Sequence, residues 1–220
     1  MKLQKYINES KIIDFSELSA EDIAKMIKMN CKKYINLLNG KTPLYKGLEI
    51  QYSLGQRVSF GSKSVRQDRR PMGTPLDLYR YVNKWLKDNK FPTRQESVIT
   101  SSNRDHANFF GKAYYFFPIG SDWKYAWVKA GDFNDNEYNT TTSWDIDEIV
   151  LWFATEEWDE LDRLFRLHLY LNKGFKYPHQ KGYEIWFNCK YYYFMAIPGD
   201  PYTHIDKELT HELKKIGVKL

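Results

Sequence analysis

The chain has 220 residues, of which 42% are hydrophobic, 17% aromatic and 28% charged. These proportions exclude a disordered or low-complexity chain and leave room for one domain with a substantial core. A formal charge of +5 fits contact with phosphates, whether of a nucleotide or a nucleic acid, and equally fits a solvated basic face. Residues 1–12 mix Lys2, Lys5 and Lys11 with polar side chains and lack the apolar run of a secretion signal. No stretch approaches the length of a membrane span. Cys31 and Cys189 are the only cysteines, and their separation signals neither a disulfide framework nor a metal knuckle. A cytoplasmic protein with no membrane and no metal partner is therefore expected. No Walker loop, Gly-rich dinucleotide turn or zinc helix occurs.

Ser19-Ala20-Glu21-Asp22 has the form of a helix start, the serine capping and the acids meeting the positive end of the dipole. Ile23, Met26, Ile27, Cys31, Tyr34, Ile35 and Leu38 recur at helical spacing and Asn39-Gly40 supplies a stop, which predicts one amphipathic helix. Residues 44–52 read as a strand, and the basic stretch 59–70 as a loop facing solvent or phosphate. Thr74-Pro75-Leu76-Asp77 predicts a second helix, with Pro75 at its first position and Asp77 in a capping box. Residues 97–100 predict a strand, 104–110 a short helix ended by Gly111, and 113–118 and 123–128 two further strands. The Asn-, Asp- and Thr-rich segment 131–143 reads as an exposed loop. Helices are expected over 144–154 and 158–171, a loop over 172–182, and a closing helix and strand over 206–220. The irregular order of short strands and helices points to an α+β fold rather than a doubly wound parallel sheet.

Near the C-terminus, Tyr183-Glu184-Ile185-Trp186-Phe187 and Tyr191-Tyr192-Tyr193-Phe194-Met195 flank the polar break Asn188-Cys189-Lys190. Aromatic and β-branched residues favour strands, so the pattern predicts a hairpin. The three consecutive tyrosines cannot share a face, so at least one is expected to reach solvent or a ligand. Glu184 opens the first arm, and a carboxylate at the end of a buried strand is costly unless it is exposed, paired or used.

Three segments in order, Leu44-Tyr45-Lys46-Gly47, Ile99-Thr100-Ser101-Ser102 and Tyr183-Glu184-Ile185, resemble the ADP-ribosyltransferase superfamily. There the first segment is usually aromatic-Arg-Gly, the second Ser-Thr-Ser, and the third a strand with a catalytic Glu, on a split pair of β-sheets that clasps NAD+. The likeness spans residues 42–196 and includes Ala107, Phe109, Phe110 and Gly111 after the Ser cluster. The stretches 66–71 and 117–120 are also similar to uncharacterised proteins of tailed bacteriophages, which implies the cytoplasm of an infected host.

The resemblance implies one domain over 1–220, with a helical segment 1–41, a split-sheet core 42–196 with flanking helices, and a tail 197–220. It implies NAD+ as substrate and ADP-ribose transfer to a macromolecular acceptor, protein or nucleic acid. Glu184 would be catalytic, with Thr100 and Ser101 orienting it. Tyr45, Lys46, Gly47, Ser102, Arg66, Arg69, Arg70 and Phe110 would bind NAD+, and His179 and Gln180 would lie on the acceptor loop. Two positions depart from the family. Lys46 replaces the usual Arg and lacks its planar fork, so Arg66, Arg69 or Arg70 would have to supply one. Gly182 stands where arginine-modifying members carry a second Glu, which argues against an arginine acceptor. The competing expectation is a non-catalytic nucleic-acid- or protein-binding module on the same fold. Each segment also has a plainer use: Lys46-Gly47 as a solvated turn or bulge, Thr100-Ser101-Ser102 followed by Asn103 as a helix cap, and 66–70 as a solvated loop.

Overall fold

The computed structural model describes residues 12–15, 17–50, 58–67, 75–129, 146–198 and 207–220. The chain is mixed α+β and forms two compact units, each assembled from separated segments: 1–66, 103–123 and 189–220 in the first, 67–102 and 124–188 in the second.

In the first unit, α1 (Ala20–Asn30) begins at Ser19, whose hydroxyl accepts from the Asp22 amide at 3.1 Å. The single helix expected here is broken at Cys31, and α2 (Lys32–Leu38) follows, ending at Asn39 in the left-handed conformation. The apolar stripe is continuous across the break, with Ile23, Ile27, Cys31, Tyr34 and Leu38 all buried. The Tyr34 ring packs edge-on to Phe116 and Phe117, while its hydroxyl accepts from the Leu44 amide at 2.9 Å. Burial drives that phenol's pKa up, so the group stays neutral.

Among the described residues of this unit five strands pair antiparallel: β1 (Ile13–Asp14), β2 (Tyr45–Leu48), β3 (Phe60–Ser64), β5 (Lys112–Pro118) and β9 (Tyr191–Met195), in the order β1-β3-β9-β5-β2. The helices α4 (Arg104–Asn108) and α8 (Lys207–Lys215) complete it, the first against β2 and β5 and the second against α1.

The strand β3 replaces the first part of the loop expected over 59–70. Gly61-Ser62-Lys63-Ser64 has little intrinsic β tendency, and pairing on both sides, to Ile13–Asp14 and to β9, imposes the conformation. Gly61 lies opposite Phe194, and a Cβ there would fall 2.7 Å from both the Phe194 ring and the Ile13 carbonyl oxygen. A residue that weakens a strand on its own is thus the one that the neighbouring ring and backbone require.

The second unit holds β4 (Val98–Ser101), β6 (Lys124–Val128), β7 (Leu169–Leu171) and β8 (Glu184–Asn188), antiparallel in the order β4-β8-β6-β7. Register puts Ile99, Trp186, Ala126, Val128 and Leu169 on one face. That face is covered by α3 (Leu76–Asp88), α5 (Ile146–Ala154) and α6 (Trp158–His168), through Leu78, Val82, Trp85, Leu161 and Phe165. The Trp85 indole donates to Asp162 Oδ1 at 2.8 Å, so this aromatic is both buried and hydrogen-bonded. The opposite face carries Tyr125, Trp127, Ile185 and Phe187.

Several expectations are corrected. The 183–195 hairpin does not form: β8 pairs with β4 and β6, whereas β9 pairs with β3 and β5. Both arms are apolar enough to occupy central positions, and a central strand takes two partners that local sequence cannot choose. Residues 169–171 leave the helix for β7 because Trp127 and Val128 offer them an open strand edge. The loop 172–182 contains α7 (Lys176–Lys181), stopped by Gly182 at φ 75°. Pro75 precedes α3 instead of opening it, and Asp77 accepts from Arg80 at 3.0 Å. No strand follows α8 among the described residues. Tyr191 is 55% exposed while Tyr192 and Tyr193 are buried on opposite faces. Arg69, Arg70 and the segment 131–143 lie outside the described residues.

Replacing Gly61 with Ala is expected to cost about 2 kcal/mol through overpacking against backbone and ring. The check is a lower urea midpoint with an unchanged slope.

Candidate functional site

Glu184, the first residue of β8, is directly opposite Ser101, the last residue of β4. It lies two positions before Trp186, so its side chain shares the helix-covered face. Only 1% of it is exposed. Such a carboxylate needs a counter-charge, and the structure supplies Arg94: Nη1 bonds Oε1 and Nη2 bonds Oε2 at 3.4 Å, a two-pronged pair.

Arg94 belongs to the segment 91–97 between α3 and β4, and neighbouring bonds hold that segment in place. The Trp186 indole donates to the Pro92 carbonyl at 2.9 Å, and the Gln95 amide donates to Asn83 Oδ1 at 3.0 Å. Thr93 closes a local turn by accepting from the Glu96 amide at 3.3 Å. The guanidinium also lies 5.6 Å from the centroid of the Trp186 ring. One tryptophan therefore positions the backbone before Arg94 and offers its ring to the cation.

Hydroxyls at the end of β4 tie this strand to the chain leading into Glu184. Thr100 Oγ1 donates to the Ile185 carbonyl and Ser101 Oγ to the Gly182 carbonyl, both at 2.7 Å. Ser102 Oγ donates to the His179 carbonyl. Three consecutive hydroxyls thus fix α7 and the approach to β8, and they hold Glu184 through its backbone. His179 is half-buried with its ring 5.6 Å from Phe175, and Gln180 is exposed. Thr100, Ser101, Ser102, Glu184, His179 and Gln180 are thereby brought together within the second unit, as is Arg94, which the sequence reading missed. The one sequence signal for Arg94 is indirect: a carboxylate expected at the end of a buried strand calls for a cation somewhere in the chain.

Tyr45, Lys46, Gly47, Arg66 and Phe110 belong to the first unit. Tyr45 stacks on Tyr115 with ring centroids 5.2 Å apart, and Lys46 is 7% exposed, opposite Tyr114 on the neighbouring strand. Burial, and after it the Tyr45 hydroxyl, push the Tyr115 phenol up. At Gly47 a Cβ would sit 2.1 Å from the Ala107 carbonyl oxygen and 2.9 Å from the Phe110 carbonyl carbon. Gly47 is therefore required by the close seating of α4 on β2, independently of any ligand. Asn103 caps α4 by accepting from the Asp105 and His106 amides, so the cap anticipated at this point falls to Asn103. Phe110 is partly exposed beside Phe109, which is 90% exposed, and Arg66 is exposed after β3.

Among the described residues no three of His, Cys, Asp and Glu gather as a metal-ligand set. Nor, among them, is any helix long and apolar enough to cross a membrane. Comparison with protein-family profiles, curated proteins and solved structures returns no match.

Arg94→Met is expected to destabilise the protein by about 3–5 kcal/mol, since the carboxylate would stay buried without its counter-charge. The double variant Arg94→Met/Glu184→Met is expected to recover most of that loss, giving a coupling energy of at least about 2 kcal/mol in a urea-unfolding double-mutant cycle. Additive losses would mean that the pair contributes nothing as a pair.

Proposed function

We propose that the protein is an ADP-ribosyltransferase-like enzyme that cleaves NAD+ and transfers ADP-ribose to a macromolecular acceptor. The observation that carries this reading is the Ser101–Glu184 register, which sets the Ser/Thr strand of the resemblance beside its Glu strand.

In this reaction the bond between nicotinamide and the ribose C1′ breaks and nicotinamide leaves with the bonding electrons. The acceptor's lone pair then forms the new bond to C1′, and its proton passes to solvent or a base. The transition state has oxocarbenium character, so an ionised Glu184 near the ribose would stabilise the developing positive charge and orient a ribose hydroxyl. Ser101 and Thr100 act as positioning residues through their bonds to the Gly182 and Ile185 carbonyls. Glu184 becomes available to the ribose when the Arg94 guanidinium exchanges the carboxylate for a substrate oxygen. Arg94 has the planar fork that Lys46 lacks and can meet a phosphate with two donors.

A specific observation favours a second reading. Glu184 is almost fully buried and satisfied by Arg94, which is what a purely structural ion pair looks like, and the fold would then serve as a binding module without catalysis.

Release of nicotinamide from NAD+, with a labelled NAD+ analogue supplied to bacterial lysate, separates the two. Wild type is expected to release nicotinamide and label an acceptor, and folded Glu184→Gln to lose about 100-fold or more of the rate. Ser101→Ala, which retains the carboxylate, is expected to lose less. Release that persists undiminished in folded Glu184→Gln removes Glu184 from the chemistry, and a wild type silent toward NAD+ leaves the binding module as the conclusion.

A further inference from the structure

The segment 169–183 of the second unit carries a surface that the proposed chemistry does not use. Between Asn172 and Tyr183 the chain reads Asn-Lys-Gly-Phe-Lys-Tyr-Pro-His-Gln-Lys-Gly-Tyr, with three lysines and no acid. Lys173, Lys176 and Lys181 are exposed, and none of them is ion-paired among the described residues. The helical side of this unit carries its acids beside cations on the same helices, Asp77 with Arg80 and Asp88 with Lys84 on α3, Glu160 with Arg163 and Asp162 with Arg166 on α6. Those elements cover the other face of the strands. The Trp127 face thus bears lysines with no acid in their own segment, whereas the helices of the other face bear both signs in pairs.

The same face bears a connected set of aromatic rings anchored on one indole. Trp127 is buried and stacks on Tyr170 with centroids 4.2 Å apart and planes 10° from parallel. Its ring lies 5.8 Å from that of Tyr177, which in turn meets Tyr183 edge-on at 5.8 Å. The indole nitrogen donates to the Lys173 carbonyl at 2.8 Å, and Gly174, at φ 69°, brings its backbone so close that a Cβ would lie 3.2 Å from the indole. Lys173 Nζ sits 5.8 Å from the Tyr170 centroid. Further bonds fix the segment at both ends: Tyr125 accepts from the Asn172 amide at 3.0 Å, and the Tyr183 amide donates to the Pro178 carbonyl at 3.0 Å. Tyr177 is 39% exposed, and Tyr170 and Tyr183 are half-buried, so each ring has a solvent-facing part on a stiff support.

We propose that Tyr170, Tyr177 and Tyr183, with Lys173, Lys176 and Lys181, form a binding surface for single-stranded nucleic acid, bases stacking on the tyrosines and phosphates meeting the lysines. Rigid flat rings interleaved with unpaired cations are what unstacked bases on a flexible phosphate chain recognise. A duplex keeps its base faces inside its own stack and would engage only the lysines. An anionic bilayer would likewise use the charge and leave the ring faces idle. The surface is independent of NAD+ cleavage, so its test stands whether or not the enzyme reading holds.

The experiment is fluorescence anisotropy with a labelled single-stranded homopolymer, the matched duplex, and phosphatidylserine-containing vesicles as competitor, on the full chain at several salt concentrations. The single strand is expected to bind at least tenfold more tightly than the duplex. Tyr177→Ala and Tyr170→Ala are each expected to weaken it about tenfold, and Tyr177→Phe, which keeps the ring, to leave it unchanged. Replacing Lys173, Lys176 and Lys181 together by Ala is expected to reduce the slope of log K against log salt by about 2, at ~0.7 per phosphate. The proposal is overturned by absence of oligonucleotide binding at low ionic strength, by equal affinity for the duplex, or by vesicles displacing the strand at lower concentration. Binding by folded variants that is insensitive to both tyrosines overturns it too.

Discussion

The buried pair between Arg94 and Glu184 is the constraint on which the polar contacts around it in the second unit depend. A carboxylate with 1% of its surface exposed tolerates ionisation only beside a well-placed cation, and the cation must in turn be held. That demand explains the details around it. The Trp186 indole bonds the Pro92 carbonyl, Asn83 receives the Gln95 amide, and Thr93 turns the chain so that the guanidinium reaches Glu184 with both outer nitrogens. The hydroxyls of Thr100, Ser101 and Ser102 hold the other partner by fixing the backbone that leads into it. A pair of this kind stabilises weakly compared with apolar packing but penalises every arrangement in which its members separate.

The first unit is organised differently, by aromatic packing and close backbone approaches. Tyr34, Phe60, Phe116, Phe117 and Phe194 fill its core, and glycine is required at two places where a ring or a helix presses on a strand. Gly61 admits the Phe194 ring, and Gly47 admits α4. The Gly47 geometry bears directly on function, because a glycine that would otherwise signal close approach to a ligand already has a packing reason to be there. Glu184 is likewise satisfied within the fold: Arg94 pairs with it, and catalysis requires that Arg94 let it go.

Much of the architecture was legible in local sequence where one local rule acts alone. Ser19 as a cap, Asn39 as a stop, Asn103 before α4 and the apolar stripes of α1 and α6 follow from backbone chemistry within a few residues. The largest of the expectations that failed depend on distant partners. The predicted hairpin gave way because β8 and β9 each take two other strands, and the basic loop became β3 because β1 and β9 pair with it. Of the site, the Thr100-Ser101 and Glu184 strands were legible as aromatic or β-branched runs with polar residues at their ends. Arg94 was not, because its meaning lies in a residue ninety positions away.

The sequence by itself determined that the chain folds, that it mixes helices with short strands, and that Glu184 begins a buried strand and needs a reason to be there. Those properties follow from composition, periodicity and the solvation cost of a charge, all of which act locally. Only the tertiary structure decided what Glu184 does with its charge, which strands lie beside it, and that the lysines and tyrosines of 170–183 share one surface. Pairing register and charge placement are relations between segments far apart in the chain, and they are settled only when the whole set of strands and helices competes for the same partners.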